Sequence, residues 1–491
     1  MKNDVIQYER TYHRLKNKIE CGILPVGTRL PGRSVLCKEY NTSERTIRRA
    51  LELLAQDGYL EITARKRPTV VSAFAAPQGR ALLNARKADA AQVNDLIQTG
   101  RLLCYPIYLR GMRLCSGSDW ETPEALFAHM DPEQPDEFWQ LCNRLWRFFI
   151  ARNENELLLR TVDSLGFQEK EPPQSSPEDR IRYCSYIKNL FQTVKSGGEP
   201  RGAELEQIFG PYKRAAGQGE ERQFLQMVSP CPLLAKTDAL ERRFSLVQER
   251  YSTVCLDLLG LIAIGRYQPG DRLPTHDRLQ EIYGVSRDTT VKAVRMLQDW
   301  GVVTTAPRRG ICVEMDLEGL KKIRISPESI ACHVRRYLDS LELLSLTVER
   351  VASHAAVQAR PEEVEQLRKD INRQWEQPYE HQLIPRTLLD FIAEHAGYHA
   401  LQSIYRMLAW NLSIGRSIPK LISPDKNPQN ILIYRQCMNA ADLLKSGDAE
   451  RFAMAAVNVF EQIRRLIMEE CRRLGYWDAA MLVYDGKSLW R

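Results

Sequence analysis

Residues 22–58 read GILPVGTRLPGRSVLCKEYNTSERTIRRALELLAQDG, and residues 265–301 read GRYQPGDRLPTHDRLQEIYGVSRDTTVKAVRMLQDWG. Adding 243 to the first numbering superimposes the two stretches without an insertion or deletion, and between Tyr8 and Val70 seventeen positions are identical. They include Gly27/Gly270, Arg29/Arg272, Leu30/Leu273, Pro31/Pro274, Ser43/Ser286, Thr46/Thr289, Gly58/Gly301 and Arg65/Arg308. A repeat this long is one supersecondary unit used twice, so its identity should decide what the chain does.

In the first copy, Leu15 and Ile19 mark one side of an amphipathic helix over about residues 5–21, which Gly22 closes. A turn-rich stretch, Pro25 to Pro31, leads into a short helix whose apolar positions are Val35, Leu36 and Tyr40. Asn41-Thr42-Ser43 then supplies an N-cap, because a serine oxygen can accept a free backbone N–H. Ile47, Ala50, Leu51 and Leu54 follow at 3-4-3 spacing as a buried stripe, with Arg45, Thr46, Arg48 and Arg49 on the opposite face. Asp57-Gly58 stops the helix, and Tyr59–Thr63 and Thr69–Ser72 read as strands around a basic tip containing Arg65, Lys66 and Arg67.

Three helices and a basic-tipped hairpin describe a winged helix-turn-helix, whose third helix enters the major groove. Arginine suits that task because it can be bidentate to guanine or neutralise phosphate. A basic face that only meets water would look the same in one copy; two copies at one spacing weigh against it. The second copy repeats the plan, with Thr290, Ala293, Val294 and Leu297 as core stripe and Arg287, Asp288, Thr289, Lys292 and Arg295 exposed. Val291 takes the place of Arg48, where an apolar side chain suits a thymine methyl. The second wing, Ala306 to Ile311, carries Gly310, where the first has no glycine.

Composition fits this reading without proving it. The 491 residues suggest three or four domains, and 44% hydrophobic with 27% charged residues is ordinary for a globular protein. The net charge of +7 names no partner, but residues 1–75 hold 14 Lys/Arg against 8 Asp/Glu, whereas residues 246–315 hold 9 against 8. The local excess in the first copy suits a polyanion. No signal peptide or membrane span is evident, and the twelve scattered cysteines form no CxxC pair, so reduced thiols in a cytoplasm are expected.

The repeated residues resemble the GntR family of bacterial transcription regulators, in which a helix is followed by PGxxLPSxRxL, VSRxTVRxAL and a GxG-tipped wing. Pro269-Gly270-Asp271-Arg272-Leu273-Pro274 and Gly284-Val285-Ser286-Arg287 carry much of that pattern. The resemblance implies DNA contacts by Arg287, Thr289 and Gly310. The departures are informative. Where the family has the arginine of its LPSxRxL segment, this chain has Asp277, with Arg278 one place later, and Ser34, with Arg33 one place earlier. The VSR arginine of the first copy is Glu44, and Arg65 and Arg67 stand where wing glycines are expected. The first copy is therefore expected to read a different sequence or to bind mainly backbone. The candidate DNA contacts in the first copy are Arg33, Ser43, Arg45, Thr46, Arg48, Arg49, Arg65 and Lys66. Those of the second are Thr275, Arg278, Ser286, Arg287, Thr289, Lys292, Arg308, Arg309 and Gly310.

Residues 73–243 and 316–491 are helix-rich by pattern. A long helical run from Tyr337, a helix start at Arg360-Pro361, and the stretches Phe391–Gly397 and Leu443–Phe452 resemble the all-helical FCD domain of the FadR-type branch. Phe149–Leu157 and Val194–Gly198 echo them faintly. The expected fold is mainly α, with two winged helix-turn-helix domains (1–75 and 244–315) alternating with helical bundles (85–230 and 326–480). FCD bundles often hold a metal through one Asp and three His, but Leu389, Cys437 and Val459 stand where the histidines would align. His395 and His399 are four apart without a third ligand, so no metal and no cofactor are expected. Trp146, Phe148, Phe149, Tyr405 and Trp410 suit an apolar pocket, and ordinary packing explains them equally well.

The function expected is a DNA-binding transcription factor with double-stranded operator DNA, an imperfect palindrome, as partner. The bundles would sense a small-molecule effector, dimerise, or both. One chain with two heads suggests an intramolecular pseudo-dimer, with a homodimer as the other arrangement, and no membrane partner. An architectural DNA binder without effector is the alternative. A regulator fused to a pyridoxal-phosphate enzyme is disfavoured, because a second winged unit and helices occupy the place of such a domain; no enzyme is expected.

Overall fold

The computed structural model describes residues 8–72 except 9–10, 13–14, 17, 20–23, 25, 41 and 64–65; residues 83–165 except 89; 175–200; 222–227; and 247–483 except 264, 308, 324–326, 378–379, 413–414, 416–417 and 419–425. These residues are mostly helical and fall into two compact units that divide between Lys236 and Thr237.

In the N-terminal unit, the described residues between 8 and 19 are helical (α1). Next come α2 (Arg33–Glu39), α3 (Glu44–Gln56) and the strands β1 (Leu60–Glu61) and β2 (Thr69–Val70). Helix α3 starts because Ser43, in extended backbone, accepts a hydrogen bond from Thr46 N through its side chain. Its Ile47, Ala50, Leu51 and Leu54 face inward and join Leu15, Ile19, Leu30, Leu36, Tyr59 and Val70 in one core. Each of the leucine, isoleucine and valine side chains contributes roughly 1.5–3 kcal/mol through burial. One position and the length of both strands differ from the periodic reading. Val35 is exposed rather than a core residue, and the hairpin strands are shorter than Tyr59–Thr63 and Thr69–Ser72.

Beyond this segment, β3 (Leu83–Ala88) pairs antiparallel with β4 (Arg222–Met227), a pairing that the helical reading of residues 73–243 did not anticipate. Between them lie α4 (Ala90–Arg113), α5 (Glu121–Ala128), α6 (Pro135–Ala151), α7 (Glu156–Leu165) and α8 (Pro177–Lys195). Helix α6 packs against α4, α5 and α7. An aromatic cluster ties α6 to α8: Phe149 and Trp120, the residue before α5, both approach Phe191 of α8, with ring centroids 5.6 and 5.3 Å away.

In the C-terminal unit, α9 (Val247–Ala263), α10 (His276–Tyr283), α11 (Arg287–Asp299), β5 (Val303–Ala306) and β6 (Gly310–Val313) follow in the same order as α1 to β2. Gly284 adopts the left-handed conformation (φ 60°) that ends α10 and turns the chain toward α11, a geometry suited to glycine. Thr290, Ala293, Val294 and Leu297 are buried. The 243-residue offset extends to individual backbone bonds. Gly27 N donates to Val70 O (2.7 Å), as Gly270 N does to Val313 O (2.8 Å). Leu30 N to Pro68 O (2.8 Å) is matched by Leu273 N to Ile311 O (2.9 Å). Leu60 faces Val70 and Val303 faces Val313, so both hairpins share one register.

After α12 (Leu317–Lys322), the unit continues with α13 (Pro327–Gln358), α14 (Pro361–Glu376), α15 (Ile384–Glu394), α16 (His399–Leu412), α17 (Pro428–Lys445), α18 (Ala449–Arg473) and α19 (Tyr476–Val483). Long α13 lies along α18 and also meets α15, α16 and α19, while α17 bridges α14 and α18. Helix α14 begins where expected: Arg360 N donates to Glu363 Oε2 (2.9 Å), with Pro361 at the first helical position. No described helix is long and apolar enough to cross a membrane. The cysteines whose side chains are described are free thiols, and burial pushes the Cys142 thiol up to about 12.

Candidate nucleic-acid interface

In both copies the third helix offers a row of cations that the core stripe on its other side holds outward. Arg45, Arg48 and Arg49 are exposed on α3. Thr46, placed on that face by periodicity, is instead buried, its Oγ1 2.8 Å from Ser43 Oγ. A threonine whose hydroxyl is satisfied by the neighbouring cap can be buried at little cost. Ser43 itself is exposed, but its oxygen is occupied in capping the helix.

Acidic neighbours restrain the first copy's arginines. Glu52 lies 3.7 Å from Arg48 and 3.5 Å from Arg49, and Glu44 lies 3.9 Å from Arg33. Arg49 also sits over the ring of Tyr8, 5.9 Å from its centroid. Lys66 and Arg67 are exposed at the hairpin tip, where Lys66 N donates to Thr63 O (3.1 Å). Arg65 lies outside the described residues.

In the second copy, Ser286 caps α11 by accepting from Thr289 N, and half-buried Thr289 places its hydroxyl 3.0 Å from Ser286 Oγ. Arg287, Lys292 and Arg295 are exposed beside Val291, which is 37% exposed. Arg287 lies 3.8 Å from Asp277, and Lys292 sits over Tyr251 at 6.0 Å, the counterpart of Arg49 over Tyr8. Thr275 caps α10 by accepting from Arg278 N (3.3 Å), and Arg278 Nη1 donates to Glu281 (2.6 Å). Gly310, with φ of 79° and open space around it, ends the tip beside exposed Arg309; Arg308 lies outside the described residues.

Three contributors escaped the sequence reading. Tyr8 and Tyr251 were visible as an identical pair, yet only the fold shows that each supports a cation of the third helix. Glu52 is one residue of a solvated face until its two arginine partners are seen. His276 Nδ1 lies 3.0 Å from the Oγ1 of buried Thr290, and burial, with Arg287 nearby, holds its pKa below the usual histidine value. A neutral ring next to Arg287 avoids a second cation at the start of α11.

The bundle candidates have local roles. His395 Nε2 lies 3.0 Å from Glu363 Oε2 and its Nδ1 2.9 Å from Phe391 O, so its ring ties α15 to the start of α14. Leu389, Cys437 and Val459 are fully buried, and among the described residues no group of three potential ligands is placed to hold a metal ion. Trp146 Nε1 donates to Tyr183 OH (3.1 Å), Phe148 stacks edgewise on Phe149, and the Tyr405 hydroxyl meets Thr347 Oγ1 at 2.9 Å. These aromatics pack against neighbours, and half-buried Trp410 lies under Arg386.

Residues 7–71 and 250–313 both match the sequence model of the family described as bacterial regulatory proteins, gntR family. The chain is 30% identical over 122 residues to the Uxu operon transcriptional regulator of Escherichia coli K12, covering 25% of this chain and 47% of that protein. It thus spans about half the length of this curated relative. Among solved structures, a GntR protein of Streptococcus agalactiae aligns over 44% of this chain and 99% of its own, with 20% identity and a TM-score of 0.20. Lar, which controls expression of the Listeria monocytogenes agr system, aligns over 45% of this chain and 96% of its own, with 16% identity and a TM-score of 0.24. The two segments that match the family model coincide with the two helix-and-hairpin units described above.

Proposed function

We propose that this chain, two of whose segments match the gntR family, is a transcription regulator that grips one operator with two winged helix-turn-helix heads. The observation that carries this reading is the repeated corner itself. The same backbone bonds pin the second hairpin strand to the segment just ahead of the second helix in both copies, and each time an exposed basic row results on the third helix. In such a unit the start of the third helix reaches base edges, so Arg45 and Arg48 in one head and Arg287, Val291 and Lys292 in the other would read sequence. Lys66, Arg67 and Arg309 at the hairpin tips would bind the backbone and release counterions.

The helical segments after each head serve effector sensing, dimerisation, or both, and the C-terminal bundle is of the FCD type. One chain supplies both readers, so it acts as a pseudo-dimer on an operator with unequal half-sites. Random-pool selection of bound DNA, repeated with Arg287→Ala and Arg48→Ala, tests this. Each substitution should erase information from a different half of the selected motif. Loss from neither half would refute the assignment of both helices. Thermal-shift screening of small acids addresses the bundles, since a ligand that binds the native state must raise its stability.

A further inference from the structure

At the first residue of the third helix the two heads carry opposite charges, and the side chains facing them are opposite as well. Glu44 starts α3 directly after its Ser43 cap; its side chain is 72% exposed and 3.9 Å from Arg33 of α2. Arg287 starts α11 directly after Ser286; its side chain is 69% exposed and 3.8 Å from Asp277 of α10. The 243-residue offset carries Glu44 onto Arg287. One corner of the unit is therefore bridged in both heads by an ion pair of reversed polarity. Pairs this exposed contribute at most about 1 kcal/mol, so their members can exchange partners when a duplex arrives.

Helix stability does not account for both residues. An acid at a helix start is favoured by the macrodipole, but an arginine there is disfavoured by a few tenths of a kcal/mol or more. Arg287 therefore occupies its place against the local preference. We infer that Glu44, at the place where the other head has its base-reading Arg287, reads the complementary edge: it accepts from the N4 amino group of cytosine where an arginine would donate to O6 and N7 of guanine. Phosphate would repel Glu44; Arg33 beside it offsets that repulsion and offers the backbone a cation, which leaves the carboxylate for a base donor. The two half-sites then differ in a defined way: under the helix start one carries guanine and the other cytosine on the contacted strand.

This inference rests on the DNA-binding reading above, and one experiment separates the two. Random-pool selection is run with the full chain, with Glu44→Arg and Glu44→Gln, and with Arg287→Glu. The wild type should enrich two half-sites, one with a required cytosine. Glu44→Arg should move that single position to guanine, and Glu44→Gln should abolish its cytosine preference. Arg287→Glu should turn the guanine of the other half into cytosine. Discrimination at each position should be roughly 5- to 150-fold. All of these positions are exposed, so melting temperatures should stay within a few degrees of the wild-type value. Should Glu44→Arg alone unfold the chain, Glu44→Gln decides. Two enriched half-sites with no position that responds to residue 44 would overturn the inference and leave the regulator reading standing. No enrichment by the wild type would overturn both.

Discussion

The hydroxyl of Tyr12 donates a 2.6 Å hydrogen bond to Oδ2 of Asp57, joining the first helix to the residue that ends the third. Both side chains are buried. Burial raises the Asp57 pKa above the usual carboxylate value, opposed by the Tyr12 bond and by Lys16. Tyr12→Phe should destabilise the first head by about 1–3 kcal/mol at neutral pH, because a buried acceptor loses its donor. The pH dependence has a definite sign. A carboxyl whose folded pKa is raised binds its proton earlier in the folded state, so its destabilising effect fades as pH falls toward and below the raised value. The cost of the substitution should therefore be smaller near pH 4 than at pH 7, as read by chemical denaturation at both.

Glu52 holds Arg48 and Arg49 at 3.7 and 3.5 Å, and the residue at the matching place of the second head is Arg295. Glu52→Arg should free both arginines and add a cation to the presented face. DNA binding should strengthen several-fold at low salt, and the slope of log affinity against log salt should steepen by about one or more. Fluorescence anisotropy across a salt series reads both. Unchanged affinity and slope would mean that this face does not meet the duplex.

Gly111 on α4 faces the backbone of Phe149 on α6 so closely that an added Cβ would collide with the Phe149 carbonyl. That contact fixes the spacing of the two helices and cannot yield as a flexible side chain would. Gly111→Ala should destabilise the first bundle by about 1–3 kcal/mol or more. Thermal unfolding should record the loss, with the second head's DNA preference unchanged.

His333 on α13 is buried, its Nε2 meets no hydrogen-bond partner among the described residues, and burial with nearby Arg336 pushes its pKa down to about 3. A histidine with a lowered folded pKa leaves the unfolded chain with more bound protons between that value and about 6.5. The C-terminal bundle should be fully stable with respect to this group above about pH 6.5 and lose stability steadily as pH falls toward 3. His333→Asn should flatten that acid limb in pH-dependent melting; an unchanged limb would assign it to other groups.

The sequence carried the heads further than the bundles. Ile47, Ala50, Leu51 and Leu54 could be read as core because 3-4-3 spacing leaves one buried face, and Ser43 as a cap because it precedes that run. Val35 could have been excluded from the core, since the second copy places Arg278 at the same position. Thr46 could not have been placed in the core, because the hydroxyl contact with Ser43 that satisfies it there is not encoded by periodicity. The pairing of β3 with β4 joins strands over 130 residues apart in sequence, with no shared turn to announce it. At the interface, residue types were legible, but which cations are held by Glu52, Tyr8 and Tyr251 depends on tertiary placement.

The most direct test of the two-headed account is a hydroxyl-radical footprint of the full chain on its selected operator, with the stoichiometry of the complex measured alongside. The account predicts one chain protecting two dissimilar half-sites about one helical turn of DNA apart, with Arg287→Ala exposing one and Arg48→Ala exposing the other. A strictly dimeric complex covering four sites, or a footprint that both variants leave intact, would contradict it.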